Sequence, residues 1–249
     1  VVDRAVALTA YAADGITPLA NNESISFDAA TGILSVSASA KPTTIVIGAS
    51  CKDSDSTYDP HHDWQSRNAQ WFAEVYDTAQ EAIEAAKSQY PNGNDWEQHC
   101  DWRIYKTLLK SQDIQRPATD YIVCKINERG DGDWSPAFTD SVRLYYRAWI
   151  MDENYPESKT NMTVFSQTYY GDFDNATAAP LAMPVISTGE GFQTAIQYMV
   201  RGDDWDVYIP QQLAYKETAS DAVPAYSTLL YRLRIELVHK SGTGMPGWR

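Results

Sequence analysis

The stretch Val223-Pro-Ala-Tyr-Ser-Thr-Leu-Leu-Tyr-Arg-Leu-Arg-Ile-Glu-Leu-Val238 decides the fold. Pro224 fixes a turn at its start, and a long strand follows. Leu229, Tyr231, Leu233, Ile235 and Leu237 alternate with Leu230, Arg232, Arg234 and Glu236, the two-residue period of a pleated strand. One face is wholly apolar and has to be buried. Upstream, Trp205 to Tyr215 reads as a second strand, and Lys216 to Ala222 as the polar loop between the two.

Outward from this pair, more strands appear. Ser141 to Ile150 sets Val142, Leu144, Tyr146, Ala148 and Ile150 on one face, with Arg143, Tyr145, Arg147 and Trp149 on the other. Tyr121 to Ile126 and Thr163 to Phe165 read as shorter strands. Phe192, Ile196 and Met199 follow a helical step, so one short helix interrupts the series. Strand, strand, strand, short helix, strand, strand implies an α+β fold, with a curved antiparallel sheet wrapping one short helix.

Before this part, Phe72, Val75, Tyr76, Ala79, Ile83, Ala86 and Tyr90 recur every three or four residues. They form one apolar helical face, with Asp63 as its N-cap and Pro91-Asn-Gly93 as its stop. Trp96, Trp102, Tyr105 and Leu109 suggest a second helix from Asp95 to Lys110, packed with the first on a neighbouring sheet. Residues 1–50 are β-rich. Ser24 to Phe27 and Ile33 to Ala38 flank a hairpin turn ending at Gly32, Thr43 to Ile47 could add a strand, and an immunoglobulin-like module is one reading. The expected divisions are therefore 1–50, a linker at 51–62, a helical segment at 63–118 and the sheet domain at 119–249.

Composition narrows the function. Thirty-three acidic residues face twenty basic ones, a formal charge of −13, which disfavours nucleic-acid binding and a polybasic membrane patch. The longest apolar run, Ile45 to Ala49, is too short to span a bilayer. Cys51, Cys100 and Cys124 lack a CxxC spacing, so no zinc site is expected. Asp53, Asp55 and Asp59 do not match an EF-hand loop, and the adjacent His61 and His62 make a poor ligand set. Gly48-Ala-Ser-Cys51 has the small residues of a lipoprotein cleavage box without an apolar signal core before it, and no basic-then-apolar leader follows Val1. Arg129-Gly-Asp131 and Arg201-Gly-Asp203 spell an adhesion tripeptide, but at turns where Gly-Asp is common. No GxSxG elbow, P-loop, HExxH or paired-carboxylate spacing stands out.

The motif order resembles the FKBP-type peptidyl-prolyl cis-trans isomerases from about Tyr121 to Lys240. Val142 to Ala148, Val164-Phe-Ser-Gln167, Gly191 to Gly202, Ile209-Pro210 and Leu213-Ala-Tyr215 carry the likeness. Asp63 to Asn68 and the tail Ser241 to Trp248 resemble an exported, lipoprotein-like Gram-negative branch. The resemblance implies an aromatic pocket over the helix. In it Tyr146, Phe165, Phe192 and Tyr231 take the wall and floor positions, and Tyr215 the hydroxyl donor to the substrate carbonyl. Ser166, Leu181, Thr188 and Gly189 take the remaining substrate-binding positions. It further implies proline-containing polypeptide substrates, no cofactor or metal, and a place in the periplasm or at the outer membrane, alone or in an envelope protein complex.

Three positions depart from the pattern. Ser166 replaces an aspartate, Lys216 replaces a glycine, and Leu181 is not aromatic, so the pocket is expected to be shallower and less polar at one edge. Turnover is thus the leading expectation. A catalytically weak binding module in a surface assembly is the alternative, and an adhesin-like stalk is a third reading drawn from residues 1–50 alone.

Overall fold

In a computed structural model of the chain, residues 6–11, 19–21, 24–38, 40, 44–51 and 61–248 are described. The chain divides into two units between Asp59 and Pro60. In the first, β1 (Val6–Tyr11) pairs antiparallel with β4 (Val46–Cys51), and β2 (Ile25–Asp28) with β3 (Ile33–Val36). The hairpin forms as its turn chemistry dictates. Asp28 accepts from the Ala30 N–H and the Thr31 hydroxyl at 2.9 and 2.7 Å, which holds its carboxyl below the usual range, and Gly32 takes φ 71°. Among the described residues the four strands make two separate ribbons rather than an immunoglobulin-like pair of sheets. Most of the 51–62 linker, with its three aspartates, lies outside the described residues.

The second unit opens with α1 (Trp64–Gln89). Its N-cap differs from expectation. Asp63 sits in the left-handed region at φ 50° with no side-chain cap, so its carboxylate cannot reach the first-turn N–H groups, and its carbonyl accepts from Ser66 instead. The second helix expected at 95–110 is a single 3-10 turn, Asp95–Gln98, followed by β5 (Trp102–Lys106). Pairing overrides the helical spacing here. β5 lies along β6 (Tyr121–Glu128), which satisfies backbone groups a lone amphipathic helix would satisfy internally.

The remaining elements are β7 (Ser141–Ile150), β8 (Thr163–Gln167), β9 (Leu181–Pro184), α2 (Glu190–Ile196), β10 (Asp204–Ile209) and β11 (Leu229–His239). The seven-stranded antiparallel sheet runs β5-β6-β10-β11-β7-β8, and β9 pairs with the first half of β7. The strand expected at 205–215 stops at Ile209. Pro210 removes a ladder donor, and Gln211–Leu213 form a 3-10 turn.

Strand alternation sorts the two faces. Ile122, Cys124 and Ile126 of β6, with Trp205, Val207 and Ile209 of β10, join Ala195 and Ile196 of α2 in the main core. Val123 and Tyr208, one residue out of phase, pack with Phe72 and Ala79 of α1. The two helices therefore cover opposite faces of the sheet. The face bearing Arg143 and Tyr145 is buried too. The Tyr145 hydroxyl donates to Asn175 at 2.9 Å, Phe173 meets the Tyr145 ring at 4.9 Å, and Arg143 donates to the Pro246 carbonyl of the C-terminal tail.

One expectation for β11 needs correction. Its alternation holds to Ile235, but the register with β7 then shifts, so Val238 is buried and Leu237 only half-buried. Glu236 is the extra residue of this bulge, and its carboxylate pairs with Arg143 at 3.4 Å. The two Arg-Gly-Asp turns are spent on each other. The Gly130 N–H donates to Asp203 at 2.8 Å, the Gly132 N–H to the Arg201 carbonyl at 3.0 Å, and Arg201 pairs with Asp131 at 3.0 Å.

The first turns of α1 fasten the segment that leads into β11. Trp64 Nε1 donates to the Ser227 hydroxyl at 2.9 Å, and the Thr228 N–H donates to Asn68 Oδ1 at 2.8 Å. Asn68 is 0% exposed, so no water can replace it. Asn68→Ala should cost about 1–3 kcal/mol by orphaning the Thr228 N–H, read as a lower urea midpoint at unchanged slope. An unchanged midpoint would show that the α1–β11 junction is not held this way.

Candidate functional site

The concave face of the sheet leaves an open hollow of about 500 Å³ above α2. That size suits a small peptide segment rather than a single water. Its floor and walls come from five strands and one helix. Phe192 on α2 meets Tyr231 of β11 edge-to-face at 5.1 Å, and Phe165 of β8 meets the same ring at 5.7 Å. Tyr146 of β7 lies 6.1 Å from Tyr231 and 6.5 Å from Phe192. These offset and perpendicular contacts are the geometry aromatic quadrupoles favour, so the rings hold one another in place.

Two backbone features allow this cluster. Gly191 lets α2 approach β10, for a Cβ there would lie 2.3 Å from Ile209 Cγ2 and 3.2 Å from the Leu213 carbonyl. The second is a bulge in β8. Ala148 pairs with Ser166 and Trp149 with Val164, which leaves Phe165 as the extra residue. Adjacent residues on a regular strand point to opposite faces, yet Phe165 and Ser166 both line the hollow.

Tyr146, Phe165, Ser166, Thr188, Gly189, Phe192, Tyr215 and Tyr231 all line the hollow. Leu181 does not. It is 43% exposed on β9, and Met183, two residues on along the same strand face, lines the hollow instead. Ile209 and Leu229 were also missed as lining residues, although they are cross-strand partners. Leu229 shares the alternation face of Tyr231, and that period was the signal that could have found it. Val223 reaches the wall from the Pro224 turn, for which a single sequence gives no direction.

The polar groups sit at the edges. The Tyr146 and Ser166 hydroxyls are 2.9 Å apart, so each satisfies the other where the family pattern has a carboxylate. Burial pushes the Tyr231 phenol well up, with the neighbouring Tyr215 hydroxyl a further cause, so Tyr231 stays neutral at any physiological pH. Tyr215 is 50% exposed at the mouth. No Asp, Glu, Lys, Arg or His lines the hollow. Among the described residues no group of three or more His, Cys, Asp or Glu could hold a metal, and no helix is long and apolar enough to cross a membrane.

Lys216, just past Tyr215, occupies φ 56°. Its N–H donates to the Gln211 carbonyl at 3.0 Å, and its own carbonyl accepts from Tyr226. The loop thus keeps the left-handed turn that glycine would take without strain.

Comparisons with known proteins bear on part of the chain. Residues 133–238 match the model of the FKBP-type peptidyl-prolyl cis-trans isomerase family. The chain is 31% identical over 112 residues to the FKBP-type 22 kDa peptidyl-prolyl cis-trans isomerase of Escherichia coli, covering 45% of this chain and 47% of that protein. It is 27% identical over 139 residues to the peptidyl-prolyl cis-trans isomerase Mip of Coxiella burnetii, covering 55% and 54%. The chain spans about half the length of these relatives. Among solved structures, FkpA from Escherichia coli aligns at 18% identity and a TM-score of 0.39, over 76% of this chain and 75% of that one. Residues 133–238, less than half of the chain, are thus similar to the FKBP-type family.

Two substitutions test the local geometry. Lys216→Gly should raise stability by up to about 1 kcal/mol, since relief of the left-handed strain exceeds glycine's extra unfolded-state entropy. A lowered melting temperature would show that the Lys216 side chain outweighs its backbone. Gly191→Ala should cost about 1–3 kcal/mol by pushing α2 off Ile209, checked by thermal unfolding.

Proposed function

We propose that the unit from residue 60 onward is a peptidyl-prolyl cis-trans isomerase, acting on Xaa-Pro segments of polypeptides in the hollow between Tyr146, Phe165, Phe192 and Tyr231. The observation that carries the reading is an open aromatic hollow whose lining has no ionisable acid or base of ordinary strength. Such a site suits a reaction that makes or breaks no covalent bond.

Rotation about a peptide bond faces a barrier of about 18–20 kcal/mol, set by amide resonance. Cis and trans prolyl forms differ by only about 0.5–1 kcal/mol, so lowering the barrier is enough to equilibrate them. Resonance places partial negative charge on the carbonyl oxygen, and water stabilises that form. Moving the amide onto Phe192 and Tyr231 removes the water and weakens the double-bond character. A bowl that fits the twisted prolyl ring better than either planar form lowers the barrier further. The exposed Tyr215 hydroxyl is suited to hold a substrate carbonyl at the mouth, with a main-chain N–H near Gly189 as a second donor.

A cell-envelope setting, as an exported folding assistant of the lipoprotein-like branch, belongs to the same proposal. Its support is the likeness of Asp63 to Asn68 and of the tail from Ser241. The alternative is a binding module without turnover, favoured by Ser166, which places a hydroxyl against Tyr146 where the family pattern has an aspartate.

An Xaa-Pro peptide isomerisation assay decides between them. Phe192→Ala should lower kcat/KM at least about tenfold, equivalent to about 1.4 kcal/mol of transition-state stabilisation. Tyr215→Phe should lower it about fivefold, the scale of one hydrogen bond. Wild-type turnover no faster than the uncatalysed rate, with peptide binding retained, would favour the module.

A further inference from the structure

A second hollow of about 480 Å³ opens beside the aromatic one and shares Phe165, Ser220 and Ala222 with it. The two are therefore neighbours across a single wall, and a peptide lying over Phe165 meets both. Their chemistries differ. The first has no ionised lining residue. The second has Glu153 and Asp221, with no lysine or arginine, beside the apolar surfaces of Ile150 and Val164. Asp221 is exposed and Glu153 half-buried. Asp221 lies in the segment 220–224, which leads on to Ser227 and Thr228, the two residues tied to α1.

One cation, Arg67, meets the Glu153 loop through its main chain. Arg67 Nη2 donates to the Glu153 main-chain carbonyl at 2.6 Å, and its guanidinium lies 5.6 Å from the Trp64 ring centre. The hollow's remaining titratable group, His61, packs edge-on against Trp64 at 4.8 Å.

Resting on the isomerase reading, we propose that this second hollow is an accessory subsite for a lysine or arginine side chain of the substrate polypeptide, within about three residues of the proline. An extended chain advances about 3.3–3.6 Å per residue, so a neighbouring hollow is reached within that span. The alkyl stem covers Val164 and Pro224, and the cationic head meets Glu153 and Asp221 while staying partly in water. The formal charge of −13 on the whole chain draws basic segments toward it. The site thus selects among proline segments by the charge of their neighbours, and the aromatic hollow takes the proline.

The test uses the full chain and three sets of peptides around one Xaa-Pro core, with Lys, Ala or Glu placed one to three residues to either side. At low ionic strength, kcat/KM for the best Lys peptide should exceed that for its Glu counterpart about fivefold or more, the scale of exposed ion pairs. The preference should shrink as salt shortens the screening length. In the double variant Glu153→Gln, Asp221→Asn the Lys-to-Glu ratio should fall toward one. Using the ratio removes any general loss from altered folding. Equal turnover of Lys and Glu peptides by the wild type would overturn the subsite and leave the isomerase reading standing. Turnover of none would sink the isomerase reading. Direct binding of the same fluorescent peptides then decides the subsite, and charge-independent binding, or none, overturns it.

Discussion

The close seat of α2 against β10 is the contact on which the site depends. A methyl group at Gly191 would overlap Ile209, so the helix could not enter the concavity with any other residue there unless the sheet moved. Entry brings Phe192 beneath Tyr231 and buries Ala195, Ile196 and Met199 against the sheet. The same contact therefore completes the core and floors the hollow. Packed interiors transmit a shift of this kind rather than absorb it, so core and site share one tolerance.

Irregular backbone does the rest. The bulge at Phe165 turns two adjacent residues of β8 toward one hollow, which a regular strand cannot do. The bulge at Glu236 comes after the pocket residues of β11, so Tyr231 keeps its phase while the end of the strand changes faces. Lys216 and Tyr226, both at positive φ, close the loop between β10 and β11. Strain of this sort persists only where surrounding contacts hold it, and here it shapes the mouth of the site.

The outer face has its own organisation. Asp204, fully buried, takes Arg232 and Arg234 together, and Arg234 lies over Phe173 at 4.2 Å. α1 covers the neighbouring part of that face and is bonded through Trp64 and Asn68 to Ser227 and Thr228, just before Leu229 of the hollow. The helix is thus tied to the site by hydrogen bonds as well as by shared core. The second hollow lies between the segment entering β11, the loop that carries Glu153 and β8.

Much of the fold was legible in period and punctuation. The alternation of Ser141 to Ile150 gave β7 to the residue, and the 3.6-residue spacing after Asp63 gave α1. Motif order brought eight of the nine expected site residues to one hollow. Local spacing failed where pairing competes with helix formation, so the aromatic series from Trp96 to Leu109 read as a helix and folds as an edge strand. It failed again at Leu181, because which side chain of β9 reaches the hollow depends on how that strand pairs with β7. The sequence by itself determined β6, β7, most of β11 and α1, because these follow from side-chain period and type. Tertiary structure alone decided the bulges, the opposite-face placement of α1 and the second hollow beside the first, because each depends on contacts between residues far apart in the chain.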